Sequence, residues 1–207
     1  MKQFIIQVGG KIGGFNMSSR GAYGFYKDNT NKITYNHYDS YPSVLGKSII
    51  NFIVNTTNQE MEKIFHDIEL VNENEGPSDD QLEDIKNYTP VDDCKTWYSA
   101  LNFSQGDLIP YKQGLKYMCG GYEKFIEDSL MCEYAYIINL DDGVLEFYKG
   151  KNKRQRNEYR YKSSNPVIIN DDITYYACSL VRKYPLDVIR QFPDNTLSDM
   201  KKRIKDE

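Results

Sequence analysis

The sequence holds only two histidines in 207 residues, so imidazole chemistry would have to use His37 or His66. Its cysteines, Cys94, Cys119, Cys132 and Cys178, include no pair two to four residues apart. That excludes the paired spacing of a structural zinc site. Two disulfides fit by count, but with no export signal in view buried free thiols are the plainer reading. No apolar run approaches the roughly 20 residues that span a bilayer. The patch Phe4-Ile5-Ile6 is too short for a signal-peptide core, so the expectation is a cytoplasmic protein without membrane contact.

Positive charge is not in surplus either. Lys plus Arg is 26 against 30 Asp plus Glu, a formal net charge of -4, which argues against a whole-surface nucleic-acid binder. Gly21 and Gly24 fall inside a strand pattern, so they form no phosphate cradle between strand and helix. No calcium loop or His-x-x-x-His pair occurs. No metal and no cofactor is implied.

What is present is a globular composition. The hydrophobic share is 40%, with 18 Tyr and 9 Phe, far too aromatic for a disordered chain. The length suits one domain with its own core. Residues 1–16 stand apart. Gly9-Gly10-Lys11-Ile12-Gly13-Gly14 buries little and costs backbone entropy. Ile12–Met17 can be back-translated as ATA GGA GGA TTT AAT ATG, which places AGGAGG shortly before ATG in the manner of a bacterial ribosome-binding site. The expectation is that Met17 is the natural start and 1–16 an upstream extension; a strand at Gln3–Val8 is the alternative.

Arg20–Tyr26 and Lys32–His37 read as a β-hairpin around Asp28-Asn29-Thr30-Asn31. A helix opens near Ser43, with Leu45, Ile49, Phe52 and Ile53 on one face, and Met61, Ile64, Phe65 and Ile68 repeat the pattern. Ser78 and Gln81 have capping-box spacing before Leu82 and Ile85. Cys94–Phe103 predicts a further helix with Trp97, Leu101 and Tyr98 inward, and Glu123–Leu130 a short one. Glu133–Leu140 and Val144–Tyr148 form a second hairpin about Asp141-Asp142-Gly143. Ile173–Lys183 predicts a strand ending near Tyr184-Pro185, and 198–207 a charged helix or frayed tail. This order lacks the βαβ repeat. It predicts a single α+β domain over 17–207, mainly an antiparallel sheet with helices packed on one face.

The densest polar cluster is Tyr35-Asn36-His37-Tyr38-Asp39-Ser40-Tyr41-Pro42. A strand continuing through Asp39 would put Tyr35, His37, Asp39 and Tyr41 on one face and Asn36 on the other. His37 and Asp39 would then form an orienting pair for general-base work. A hydrogen-bonded plug holding the turn is the structural alternative, and His66, beside Phe65, reads as structural. With translation from Met17, Ser18 would become a terminal nucleophile with its own amine as base, and Arg20 would lie near it. A terminal serine without a role is the simpler reading.

Residues 149–162 reverse the local sign, with Lys149, Lys151, Lys153, Arg154, Arg156, Arg160 and Lys162 against Glu158. Tyr159 and Tyr161 interleave with the arginines. Phosphate contact and base stacking fit such a loop, as do an acidic partner or simple solvation.

The pattern Arg20-Gly21, Gly24-Phe25, Tyr35–Pro42 and Leu45-Gly46, with Asp128–Tyr136 and Leu186-Asp187, resembles a family of small, largely uncharacterised bacteriophage and bacterial proteins. The resemblance covers most of 17–190 and supplies no catalytic residue. It implies an accessory protein that binds and inhibits or sequesters a component of the bacterial host, in its cytoplasm, with defence systems among the targets. A small hydrolase or nucleotide-processing enzyme using His37 and Asp39, with Ser18 or Arg20, is the alternative.

Overall fold

The computed structural model describes residues 19–90, 94–155, 160–162, 166–170 and 172–204. The upstream segment 1–16, Met17, Ser18 and Arg156 lie outside them.

The first hairpin forms as its residues predict. Strands β1 (Gly21–Lys27) and β2 (Thr30–Asn36) pair antiparallel. Asp28 and Asn29 turn the chain at φ 48 and 58, a left-handed pair that these two residue types tolerate and that matches strand twist. Gly24 is required within β1. Its φ is 149, and a Cβ there would stand 2.1 Å from the Lys32 carbonyl oxygen.

The second hairpin comprises β5 (Tyr134–Asn139) and β6 (Val144–Lys149). β1 and β5 pair in parallel, setting Tyr23 opposite Tyr136. Parallel neighbours need a crossover, and residues 37–133 supply it. They carry α1 (Lys47–Val54), α2 (Asn58–Asp67), α3 (Asp79–Ile85), α4 (Trp97–Leu101), α5 (Ile109–Gln113) and α6 (Glu123–Ile126). They also carry a short parallel ladder of β3 (Glu69–Val71) with β4 (Tyr117–Cys119), which the periodicity did not announce. β9 (Ser179–Pro185) joins β6 and completes a five-stranded sheet in the order β2-β1-β5-β6-β9. The fold is α+β, mainly antiparallel.

Alternation sorts the sheet's side chains. Tyr23, Phe25, Tyr136, Ile138, Leu145 and Phe147 enter the main core with Ile49, Phe52 and Ile53 of α1 and Met61, Ile64 and Phe65 of α2. The same core takes Leu186 and Ile189 of α7 (Leu186–Gln191) and Met200 of α8 (Pro193–Arg203). Ala22, Ala135, Ile137 and Tyr148 face the other way, under Ile126, Tyr161 and Cys178. Capping boxes at Thr57–Glu60, Ser78–Gln81 and Thr96–Ser99 start α2, α3 and α4.

Several expectations need correction. Tyr98 is 37% exposed instead of facing inward. The predicted strand Ile173–Lys183 is two strands. β8 (Ile173–Tyr175) pairs with β7 (Val167–Asn170) as a separate ribbon, and β9 begins after a bend. The terminal helix starts at Pro193, five residues before Ser198, because Thr196 and Met200 bury against the core. Among the described residues no helix is long and apolar enough to cross a membrane. Cys94, Cys119, Cys132 and Cys178 are free thiols.

Candidate functional site

β2 stops at Asn36, so the strand does not carry on through Asp39 as the alternation required. Asp39 instead adopts φ 48 and its carbonyl accepts Leu45 N–H at 3.3 Å. The two-residue period therefore does not set His37 beside Asp39. His37 meets Tyr35 instead, with 3.0 Å between the hydroxyl and Nδ1. Its backbone N–H donates to Gln105 Oε1 at 3.1 Å, and Tyr38 packs edge-on to its ring at 4.3 Å.

Tyr35 sits in an aromatic wall. Its ring stacks on Tyr122 at 5.5 Å and meets the edge of Phe125 at 5.2 Å. Burial raises the Tyr35 hydroxyl's pKa, and the neighbouring Arg20 guanidinium opposes that rise. The same guanidinium reaches Met131 Sδ at 3.6 Å. Tyr122 donates to Glu73, and burial with that carboxylate pushes its pKa far up. Arg20, Tyr35 and His37 thus gather at one end of the first hairpin, while Ser18 lies outside the described residues. His66 is exposed on α2 beside Phe65.

The segment after His37 is held tightly. Asn36 is buried, and its side-chain amide donates to the Tyr38 carbonyl and to Ser40 Oγ, the latter at 2.8 Å. Ser40 N–H donates to Ser19 O at 3.1 Å, and Tyr136 donates its hydroxyl to Ser40 O at 3.0 Å. Tyr41 lies 6.0 Å from the Tyr134 ring, and its carbonyl accepts from Val44 and Gly46. These bonds start a π-helical turn over Pro42–Gly46 that runs into α1.

A groove of about 300 Å³ lies beside this segment, with Asp39, Val44, Ser48, Asn102 and Gln105 in its walls. Its far wall is fixed from below. Tyr23 donates to Ser104 O at 3.2 Å and accepts Gly106 N–H at 2.8 Å, while Ser48 Oγ donates to Gly106 O at 2.8 Å. Large apolar side chains nevertheless face solvent on its walls, with Tyr38 63% exposed and Val44 51%, and Phe103, next in sequence to the wall residue Asn102, is 70% exposed. Sequence reasoning missed Val44, Phe103 and Gln105. Only the long-range contact between 36–48 and 102–106 marks them, and no local pattern carries it.

The basic segment divides in two. Lys151, Lys153 and Arg154 are exposed. Arg160 is occupied internally, 2.9 Å from the buried Glu146 carboxylate and 3.3 Å above the Tyr26 ring. Glu146 also accepts from Asn139 at 2.9 Å and Tyr148 at 2.7 Å. Among the described residues no group of three or more His, Cys, Asp or Glu is placed to hold a metal ion.

The fold and site define an α+β protein with a tied aromatic surface loop. No family model, no curated protein and no solved structure matches the chain. The bacteriophage, viral, anti-defence and host-interaction identity drawn from the resemblance is corrected here, since no relative carries it.

Proposed function

We propose that this chain works by binding a protein partner, with the groove between 36–48 and 102–106 as the contact surface. The observation that supports this reading is the exposure of Tyr38, Val44 and Phe103 on backbone that buried hydrogen bonds already hold in place. Exposed aromatic side chains on a rigid frame lose little entropy on binding and supply the anchors of interfaces. Asp39 at the rim favours a partner that sets a cationic residue beside an apolar one.

The test begins with affinity capture from cells of the native source, using the wild type and a Tyr38→Ser/Phe103→Ser variant of equal melting temperature. The captured protein is then purified and titrated against both. A stoichiometric complex that the variant weakens at least about tenfold, with hydrogen-exchange protection over 36–48 and 102–106, supports the reading. Equal binding by the variant, or protection elsewhere, rejects it.

A second reading, acid–base chemistry at the first hairpin, draws on the 3.0 Å contact between Tyr35 and His37 with Arg20 alongside. A nucleotide extract incubated with the wild type, His37→Gln and Tyr35→Phe separates the two. Turnover lost in His37→Gln, with folding intact, favours an enzyme; an unaltered extract removes that reading.

A further inference from the structure

The sequence leaves 149–162 as a basic stretch that solvation alone could explain, but its first part is built as a fixed platform. Asn152 is the hub. Its N–H donates to Ser129 Oγ at 2.9 Å, its side-chain amide donates to Ala177 O at 2.8 Å and Arg154 O at 2.9 Å, and its Oδ1 accepts Arg154 N–H at 3.0 Å. Lys151 N–H donates to Ser129 O at 2.6 Å, and Tyr176 N–H donates to Asn152 O at 2.9 Å. Asn152 is thereby anchored while Lys151, Lys153 and Arg154 project into water.

These three cations make no ion pair among the described residues. Elsewhere Lys27, Lys63, Lys112 and Arg190 each stand within ion-pair distance of a carboxylate. Lys162 adds a further exposed cation to the same segment. Lys153 Nζ lies 5.7 Å from the Tyr175 ring, and Tyr175 is half-buried, so one aromatic ring borders the charge. In a chain of net charge -4 this is a local reversal of sign on rigid backbone.

We propose that residues 151–154, bordered by Tyr175, bind single-stranded nucleic acid. Cations at neighbouring positions on held backbone suit successive backbone phosphates, and the Tyr175 ring beside them suits a base, which a duplex keeps stacked away. An acidic protein segment would use the cations but has no planar base to set against that ring. The surface shares no residue with the groove, so either site can fail without the other.

The experiment is a fluorescence-anisotropy titration with a labelled single strand of about twelve nucleotides, starting at about 50 mM salt. Its arms are the wild type, Lys151→Gln/Lys153→Gln/Arg154→Gln, and the charge-matched Lys63→Gln/Lys86→Gln/Lys116→Gln. The first triple variant should bind at least about tenfold more weakly and the second within about twofold of wild type. Three phosphate contacts give a log–log salt slope of about -2. An abasic strand of equal length should bind more weakly than the oligonucleotide. No binding at the lowest salt, equal losses in both triple variants, or equally tight binding of the abasic strand or of poly-glutamate overturns the proposal. The poly-glutamate result would identify the surface as one for acidic protein.

Discussion

Tyr136, in the middle of the sheet and fully buried, donates its hydroxyl to the carbonyl of Ser40, 3.0 Å away in the loop that borders the groove. A core side chain thus carries the polar support of a surface segment. Burial, with smaller contributions from Tyr134, Cys132 and Tyr184, raises the pKa of this phenol well above its usual value, so it is a donor at neutral pH.

Removing that donor should be felt twice. Tyr136→Phe leaves the Ser40 carbonyl without its buried partner and should cost about 2 kcal/mol in urea unfolding. Hydrogen exchange should rise over 36–46 and stay unchanged in β6. A loss of stability with uniform exchange would mean that the bond serves packing and not the loop.

Glu146 is 1% exposed and shared among Asn139, Tyr148 and Arg160, with Lys183 Nζ 3.4 Å away. Glu146→Ala should destabilise by about 3 kcal/mol, since the guanidinium over Tyr26 loses its counter-charge. The double variant Glu146→Ala/Arg160→Met should recover part of that loss. Additive losses in the cycle would show that the two side chains act independently.

Acid should loosen α2 first. The Thr57 backbone and hydroxyl donors hold the Glu60 carboxyl down to about 2, from an ordinary 4.5, with Lys112 adding to the effect. Its folded value is depressed, so the stabilisation is complete above about 4.5 and disappears as pH falls towards about 2. Asp142, bonded to Lys183, and Asp199, bonded to Arg203, shift in the same direction. Stability should fall between pH 5 and 2 in the wild type and less steeply in Glu60→Gln. Parallel curves would remove Glu60 from the acid transition.

Thiol reagents should find one cysteine in the native protein. Cys119, Cys132 and Cys178 are buried, and burial pushes Cys119, with Glu73 nearby, up to about 12. Cys94 is partly exposed. Mass spectrometry after mild alkylation at pH 8 should give a single adduct at Cys94 and four adducts after unfolding. A native adduct at Cys132 or Cys178 would show that the cover of Ile126 and Tyr161 opens readily.

Local pattern carried a good part of the architecture. Asp28-Asn29 and Asp141-Asp142-Gly143 announce both hairpins, and the spacing of Ile49, Phe52, Ile53, Met61, Ile64 and Phe65 announces the two central helices. The Ser78–Gln81 box is legible for the same reason, because caps act within one turn. The candidate site was legible as a neighbourhood and not as a geometry. His37 and Asp39 are two apart in sequence, but strand alternation fails once Asn36 turns its amide to Tyr38 and Ser40.

The sequence by itself determined the chemistry at hand: two hairpins, amphipathic helices, one histidine in a polar cluster and one basic stretch. Tertiary structure decided how they meet. The parallel pairing of β1 with β5, the meeting of Val44 and Ser48 with Asn102 and Gln105, and the division between captive Arg160 and exposed Lys153 all join residues far apart along the chain. Turns and caps depend on torsions and neighbours within a few residues. Those contacts depend instead on which buried faces close over one another, and no local window of sequence contains that information.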